Sequence, residues 1–210
     1  MDLNKSLQNY LDEVASDSPT PGGGNVAAFS GALACSLGIM VCNLSIGKKK
    51  YIEVEEELKD VKFQLENFKE KFLQLAEEDN AAFNKVMAAF KMPKETDAQK
   101  SERDAKIEEA TMGAANVPAE VIKVCKNVIP SVQVVAQKGN QNSLSDAGVA
   151  VSLLKSAAQG AMLNVVINCS ALKDQSAASD LQNKTDLIYN DIRAESVVIL
   201  NEINYKLKKK

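Results

Sequence analysis

Residues 18–51 read SPTPGGGNVAAFSGALACSLGIMVCNLSIGKKKY, and the fold turns on how this stretch is packed. From Asn25 to Gly47 there are 23 residues without a charge, long enough to span a bilayer. The composition points elsewhere. Small side chains dominate, Asn43 lies inside, and few Leu, Ile or Phe are present to supply transfer energy. The spacings Ala27/Gly31/Cys35 and Ser30/Ala34/Gly38 put small residues on a helix face every four positions, which lets a neighbouring helix approach backbone-close. The stretch is therefore expected to be a central, buried helix and not a membrane span.

The rest of the chain reads as helix on either side of it. Leu3, Leu7, Tyr10, Leu11 and Val14 give a short amphipathic helix over 4–16. Apolar positions from Leu58 to Phe90 keep a three/four period, predicting one long helix over 53–91 that ends at Met92-Pro93. Thr96 or Asp97 caps the next helix, which is expected to kink at Pro118 and end near Pro130, with a shorter helix over 131–137. The turn cluster Gly139–Ser143 precedes a second small-residue helix, capped by Ser145 or Asp146 and reaching about Leu172. Its interior charge is Lys155. A last amphipathic helix covers 176–206. No alternating β-branched run appears. The expected architecture is all-α: one domain over 1–210, with long amphipathic helices packed around two small-residue central helices.

Composition narrows the chemistry. The 210 residues contain no histidine, which excludes Ser-His-Asp and Cys-His nucleophile systems, histidine-ligated zinc and imidazole proton shuttles. Proton transfer must run on Asp, Glu, Lys, Tyr or Cys. With 25 basic and 28 acidic residues, a net charge of −3 leaves no global attraction to nucleic acid. The runs Lys48–Lys50 and Lys208–Lys210 are local. Cys35, Cys42, Cys125 and Cys169 lack C-x-x-C spacing and sit in apolar stretches, as buried thiols in a reducing cytosol do. The start MDLNKSLQNYLDEV has no secretory pattern, so a cytoplasmic location is expected.

Four segments carry candidate chemistry. Gly22, Gly23 and Gly24 stand before a helix of small residues, where backbone N–H groups can meet an anion and Asn25 can cap. Lys48, Lys49 and Lys50 close that helix; they complement its negative end, and one of them can hold a substrate carboxylate or supply a proton. Asp79 lies on the apolar face of the long helix with Phe83, where burial would raise its pKa into an acid/base range, and Arg103 is a candidate fixed cation for it or for a substrate carboxylate. Asn140, Asn142, Ser145 and Asp146 again place turn residues ahead of a small-residue helix. Asn164 and Asn168 stand a turn apart on an otherwise apolar face and need hydrogen-bond partners. Asp146 and Asn164 are roughly 27 Å apart along one helix, beyond the reach of one small ligand.

The blocks SPTPGGGNVAA, MVCNLSIGKKKY, DNAAFNKVMAAFKMPK with Arg103, NVPAEV, and GNQNSLSDAGVAV with LNVVIN together resemble the cyclodeaminase/cyclohydrolase family, colinearly over about 18–174. The resemblance implies an all-α homodimer acting on the one-carbon bridge of tetrahydrofolate, without metal and with no cofactor beyond that substrate. The first activity it implies is hydrolysis of 5,10-methenyltetrahydrofolate to 10-formyltetrahydrofolate. The second is cyclodeamination of 5-formiminotetrahydrofolate, and a third reading is a folate-binding or interaction bundle without turnover. Asp79 or Asp146, with Lys49, would then move protons. Lys48, Lys50 and Arg103 would meet folate carboxylates, and Gly22–Gly24, Asn25, Asn140, Asn142 and Ser145 would line the ligand. Asn25 departs from the serine usual after the glycines, which removes a hydroxyl role there.

Overall fold

The computed structural model describes residues 6–209, so Leu3 and the start of the first expected helix, and Lys210 of the last basic run, lie outside the described residues. Six α-helices follow in order: α1 (Leu7–Val14), α2 (Gly23–Asn43), α3 (Glu55–Phe90), α4 (Asp97–Lys138), α5 (Leu144–Ser170) and α6 (Gln175–Lys208). Short 3-10 helices at Lys49–Val54 and Gln141–Ser143 lead into α3 and α5, and no strand occurs among the described residues. Helices α3, α2, α5 and α6 lie side by side in that order, and all four rest on α4.

The α2–α3 seam repeats every seven residues. A Cβ placed on Gly38 would lie 2.8 Å from Leu65 Cδ1, one on Gly31 would lie 2.6 Å from the Phe72 ring, and one on Gly24 would overlap the Asp79 carboxylate. Gly24, Gly31 and Gly38 thus meet Asp79, Phe72 and Leu65 in antiparallel register, and a large side chain fills each space a missing Cβ leaves. Phe72 and Leu65 are fully buried. On its other side α2 runs antiparallel to α5, with Ala27 Cβ 3.2 Å from a Cβ built on Gly160.

One expectation about α4 is corrected. It does not stop near Pro130 to be followed by a shorter helix over 131–137: it is one helix of 42 residues containing both Pro118 and Pro130. Pro118 has no N–H for the carbonyl of Ala114, the acceptor four residues earlier. The Asn168 side-chain Nδ2–H of α5 donates to that carbonyl at 3.0 Å instead. Flanking residues Ala115, Ala119, Val121 and Ile122 are buried. Of the two caps expected for α4, Thr96 is used, in a reciprocal box with Gln99.

Both α2 and the stretch Gln141–Ser170 are long and apolar enough to cross a membrane by length and composition. Within the chain 56% of the α2 window and 39% of the other are buried, so each leaves a face open. Leu33 on α2, Leu44 just after it, and Val149, Leu163 and Ile167 on α5 are exposed. These uncharged faces turn away from α4 and adjoin one another.

The proline repair predicts a coupling. Asn168→Ala should lower stability by about 1–3 kcal/mol, because a buried carbonyl loses its donor. In a Pro118→Ala background the restored N–H should remove most of that cost. A double-mutant cycle from denaturant melts measures it.

Candidate active site

The glycine turn forms the first part of the site. Gly22 is the cap position of α2, in extended conformation and without a side-chain hydrogen bond, so the first N–H groups of the helix are left for other acceptors. Asp79 of α3 comes against them: Gly24 has no Cβ to keep the carboxylate away, and the backbone N–H of Asn25 bonds to it. Burial raises the Asp79 pKa above its ordinary value, and the Asn25 N–H offsets part of that rise. The carboxylate therefore sits where it can both accept and return a proton. On the other flank of the glycines, the Asn164 amide lies 3.5 Å from a Cβ built on Gly23 while its Nδ2–H donates to the Gly160 carbonyl.

Asn25 is not the cap expected of it. Its side chain is fully buried, accepts from the Tyr10 hydroxyl at 2.9 Å and donates to the Ala76 carbonyl at 2.7 Å. The residue ties α1, α2 and α3 together beneath Asp79. Its side chain does not line a ligand space; only its backbone N–H faces the carboxylate.

The residues around Asp146 form a second group at the other end of the same helices. Asn140 joins the end of α2 to the α4–α5 connection. Its N–H donates to Ser45 Oγ at 2.8 Å, its Nδ2–H to the Leu44 carbonyl at 3.2 Å, and its Oδ1 accepts from the Asn142 N–H at 3.0 Å. Tyr51 extends this knot by accepting from the Gln141 N–H at 3.2 Å. Neither Ser145 nor Asp146 caps α5. The helix starts at Leu144, with Ser145 exposed and Asp146 half-buried in its first turn. Lys48, Lys49 and Lys50 are exposed beyond the end of α2, separated from it by a turn through Gly47 at φ +77°. Lys50 Nζ lies 5.6 Å from the centre of the Tyr51 ring.

Because α2 has 21 residues, these two groups are separated by roughly 30 Å. One chain does not bring Asp79 together with Asp146 or Lys49. Arg103 does not pair with Asp79 either. Its Nε and Nη2 donate to the Phe90 carbonyl at 3.3 and 3.1 Å, closing the end of α3, and its guanidinium lies over the Phe90 ring at 5.6 Å. Phe90 is eleven residues, roughly 16 Å, further along α3 than Asp79.

All four cysteines are free and buried. Burial pushes the Cys35 thiol up to about 12 and the Cys42 thiol to about 11, so neither supplies a thiolate nucleophile. A groove of about 700 Å³ between α3 and α4 is lined by residues such as Ala82, Lys85, Lys106 and Gly113; it includes none of the candidate site residues, although Ala82 and Lys85 belong to the DNAAFNKVMAAFKMPK block.

Residues 6–187 match the formiminotransferase-cyclodeaminase family model. The chain belongs to this family. It is 45% identical over 177 residues to a methenyltetrahydrofolate cyclohydrolase of Methylorubrum extorquens, covering 84% of this chain and 85% of the relative. It is 26% identical over 201 residues to the formimidoyltransferase-cyclodeaminase of Rattus norvegicus, where the match covers 96% of this chain and 37% of the longer relative. Among solved structures, the formiminotetrahydrofolate cyclodeaminase of Thermotoga maritima superposes with a TM-score of 0.81 at 31% identity, covering 95% of this chain and 98% of that one.

In this member of the formiminotransferase-cyclodeaminase family, sequence reading missed the place of Asn164. Its only signal was an amide on an apolar helix face. Tyr10 was read as an apolar position of the first helix, yet its hydroxyl fixes Asn25.

The raised pKa of Asp79 has a consequence for stability. Between its ordinary value of 3.8 and the raised value, the native state holds more proton than the unfolded chain, so this group's contribution to stability falls as pH rises through that window. Asp79→Asn lacks the effect. The melting temperature of the variant relative to the wild type should therefore climb as pH is raised above about 4 and then level off. Thermal melts at a series of pH values check the sign.

Proposed function

We propose that the chain is a methenyltetrahydrofolate cyclohydrolase, converting 5,10-methenyltetrahydrofolate to 10-formyltetrahydrofolate. The observation that carries this reading is the 45% identity to the Methylorubrum extorquens cyclohydrolase, with both chains matched over most of their lengths. The chemistry fits the residues. The bridge carbon between N5 and N10 is an amidinium cation, already electrophilic, so hydration needs a base, orientation and a proton for the departing nitrogen. Water adds to the carbon as Asp79 takes its proton. The carbon–N5 bond then breaks as Asp79 returns a proton to N5, and the hydroxyl proton passes back to the carboxylate and on to bulk water as C=O forms, leaving the formyl group on N10. In this reading the N–H groups left open at the start of α2 meet the oxygen charge that develops on the tetrahedral carbon.

Cyclodeamination is the second reading, favoured by the full-length match to the Thermotoga maritima cyclodeaminase. There N10 attacks the formimino carbon and ammonia leaves, and the same carboxylate can serve both reactions.

The working unit in this proposal is a homodimer, in which a second copy covers the uncharged faces of α2 and α5. That surface is about 30 Å long and two helices wide, close to the ~800 Å² per partner of a stable interface. Antiparallel alignment across it makes α2 and α5 central helices. It also brings Asp146 and the Lys48–Lys50 end of one protomer to the Asp79 end of the other, where Asp12 and Asp17 offer opposite charge. Each site then draws on both chains, with Asp146 as its second proton-transfer carboxylate.

Purified protein should accelerate the loss of methenyl absorbance and release little ammonia from 5-formiminotetrahydrofolate; the reverse pattern would exchange the two readings. Asp79→Asn should lower kcat by about 10²–10⁴-fold. Mixing unfolded Asp79→Asn and Asp146→Asn chains and refolding them together should regain about a quarter of wild-type activity, from the one intact site of each mixed dimer. No regain would show that the sites are not shared.

A further inference from the structure

The face of α3 that carries Asp79 does not end where α2 ends. Leu65, Phe72 and Asp79 follow α2 down to Gly24, and α2 begins one residue before that, at Gly23. Continuing on the same face at helical spacing, α3 presents Phe83, Val86, Met87 and Phe90 over its last eleven residues. None of these belongs to the hydrophobic core. Phe83 and Val86 are half-buried, while Met87 is 39% and Phe90 49% exposed. A shelf of two aromatic rings and two aliphatic side chains thus leads away from the carboxylate with no helix seated on it. At its far end stands Arg103. Two of its five N–H groups are spent on the Phe90 carbonyl, and its Nη1 approaches the Asp104 carboxylate only to 3.9 Å.

We infer that this shelf seats the p-aminobenzoyl-glutamate half of the folate, with the flat benzoyl ring against Phe83, Met87 and Phe90 and a glutamate carboxylate on the unspent N–H groups of Arg103. The inference rests on the proposed reaction at Asp79. The fit comes from the order of groups along the shelf: about 16 Å of helix face carrying exposed apolar side chains, starting at the proton-transfer group and closing on a cation tied to the Phe90 carbonyl. That is the order of apolar ring and anion that follows the one-carbon bridge in the substrate. Aromatic stacking fixes the ring's plane, and the guanidinium fixes its distance from Asp79. Phe83, Met87 and Phe90 are positioning residues, and Arg103 selects for the carboxylate.

The test compares Phe90→Ala and Arg103→Gln with wild type on 5,10-methenyltetrahydrofolate and on the same compound lacking its glutamate. On the full substrate both variants should raise KM tenfold or more while kcat changes far less. On the glutamate-free compound wild type should already show the raised KM, and Arg103→Gln should add nothing to it. Arg103→Lys should recover part of the loss. Melting curves separate these effects from loss of the α3 end, since Phe90→Ala removes only an exposed ring. Lys85→Ala, in the groove on another face of α3, should leave KM unchanged. A raised KM there, with Phe90→Ala silent, would put the tail in that groove and overturn the inference while leaving the reaction at Asp79 intact. If the protein turns over neither folate, the proposed function fails by itself. Titration with p-aminobenzoylglutamate, followed by the ring signals of Phe83 and Phe90, then decides the shelf: saturable shifts lost in Arg103→Gln uphold it, and no shifts in wild type refute it.

Discussion

A carboxylate is held against the first turn of a helix because the residue facing it is glycine. The contact between Gly24 and Asp79 is the last step of a seam that begins with Gly38 against Leu65 and passes through Gly31 against Phe72. Two apolar steps fix the distance between α2 and α3 by packing, and the third inherits that distance for a charged group. A carboxylate alone does not favour such a place, since burial disfavours its charge. Here the packing of Leu65 and Phe72 supplies the position, and the Asn25 N–H at the start of α2 offsets part of the cost of burial. Much of the rest is arranged around that turn: Asn25 ties α1 and α3 beneath it, and Asn164 lines its other flank.

Helical periodicity carried most of the architecture. The small-residue composition of α2, the three/four period of α3 and the Thr96 cap are local properties, and they read correctly from neighbouring residues. Failures came where the deciding partner lies far away in sequence. Pro118 reads as a position that leaves a carbonyl without its donor, and nothing near it says that Asn168, fifty residues later, supplies one. Asn25 reads as a cap because its partners Tyr10 and Ala76 lie on other helices. Ser145 and Asp146 lose their expected capping role because a 3-10 turn starts α5 one residue earlier.

The site was legible as parts and not as an assembly. Asp79 was recognisable as an acid on an apolar face, and the glycines as a place of close approach. Their meeting depends on the antiparallel register of α2 and α3, which the seven-residue spacing of Gly24, Gly31 and Gly38 encodes only once the matching spacing of Asp79, Phe72 and Leu65 is set beside it. The separation of Asp146 and Lys48–Lys50 from Asp79 follows from the same register. Helices that run the length of the molecule put their two ends some 30 Å apart, so residues grouped by chemistry fall at opposite poles. A second copy is what would reunite them. Chemistry without histidine is in keeping with the proposed hydrolysis, in which the reacting carbon arrives as a cation and the chain must only move protons around it.

In the proposed reaction the packed-in carboxylate of Asp79 is the group that moves the proton. The most direct measurement follows the side-chain carboxyl carbon of Asp79 by NMR as a function of pH and sets its midpoint beside the acid limb of kcat/KM. The midpoint should lie above the ordinary aspartate value of 3.8 and coincide with the kinetic limb, and both should move together in Gly24→Ala, where the added Cβ displaces the carboxylate from the helix start. An Asp79 that titrates at the ordinary value, or a kinetic limb that stays in place while its midpoint moves, would contradict the role given to Asp79.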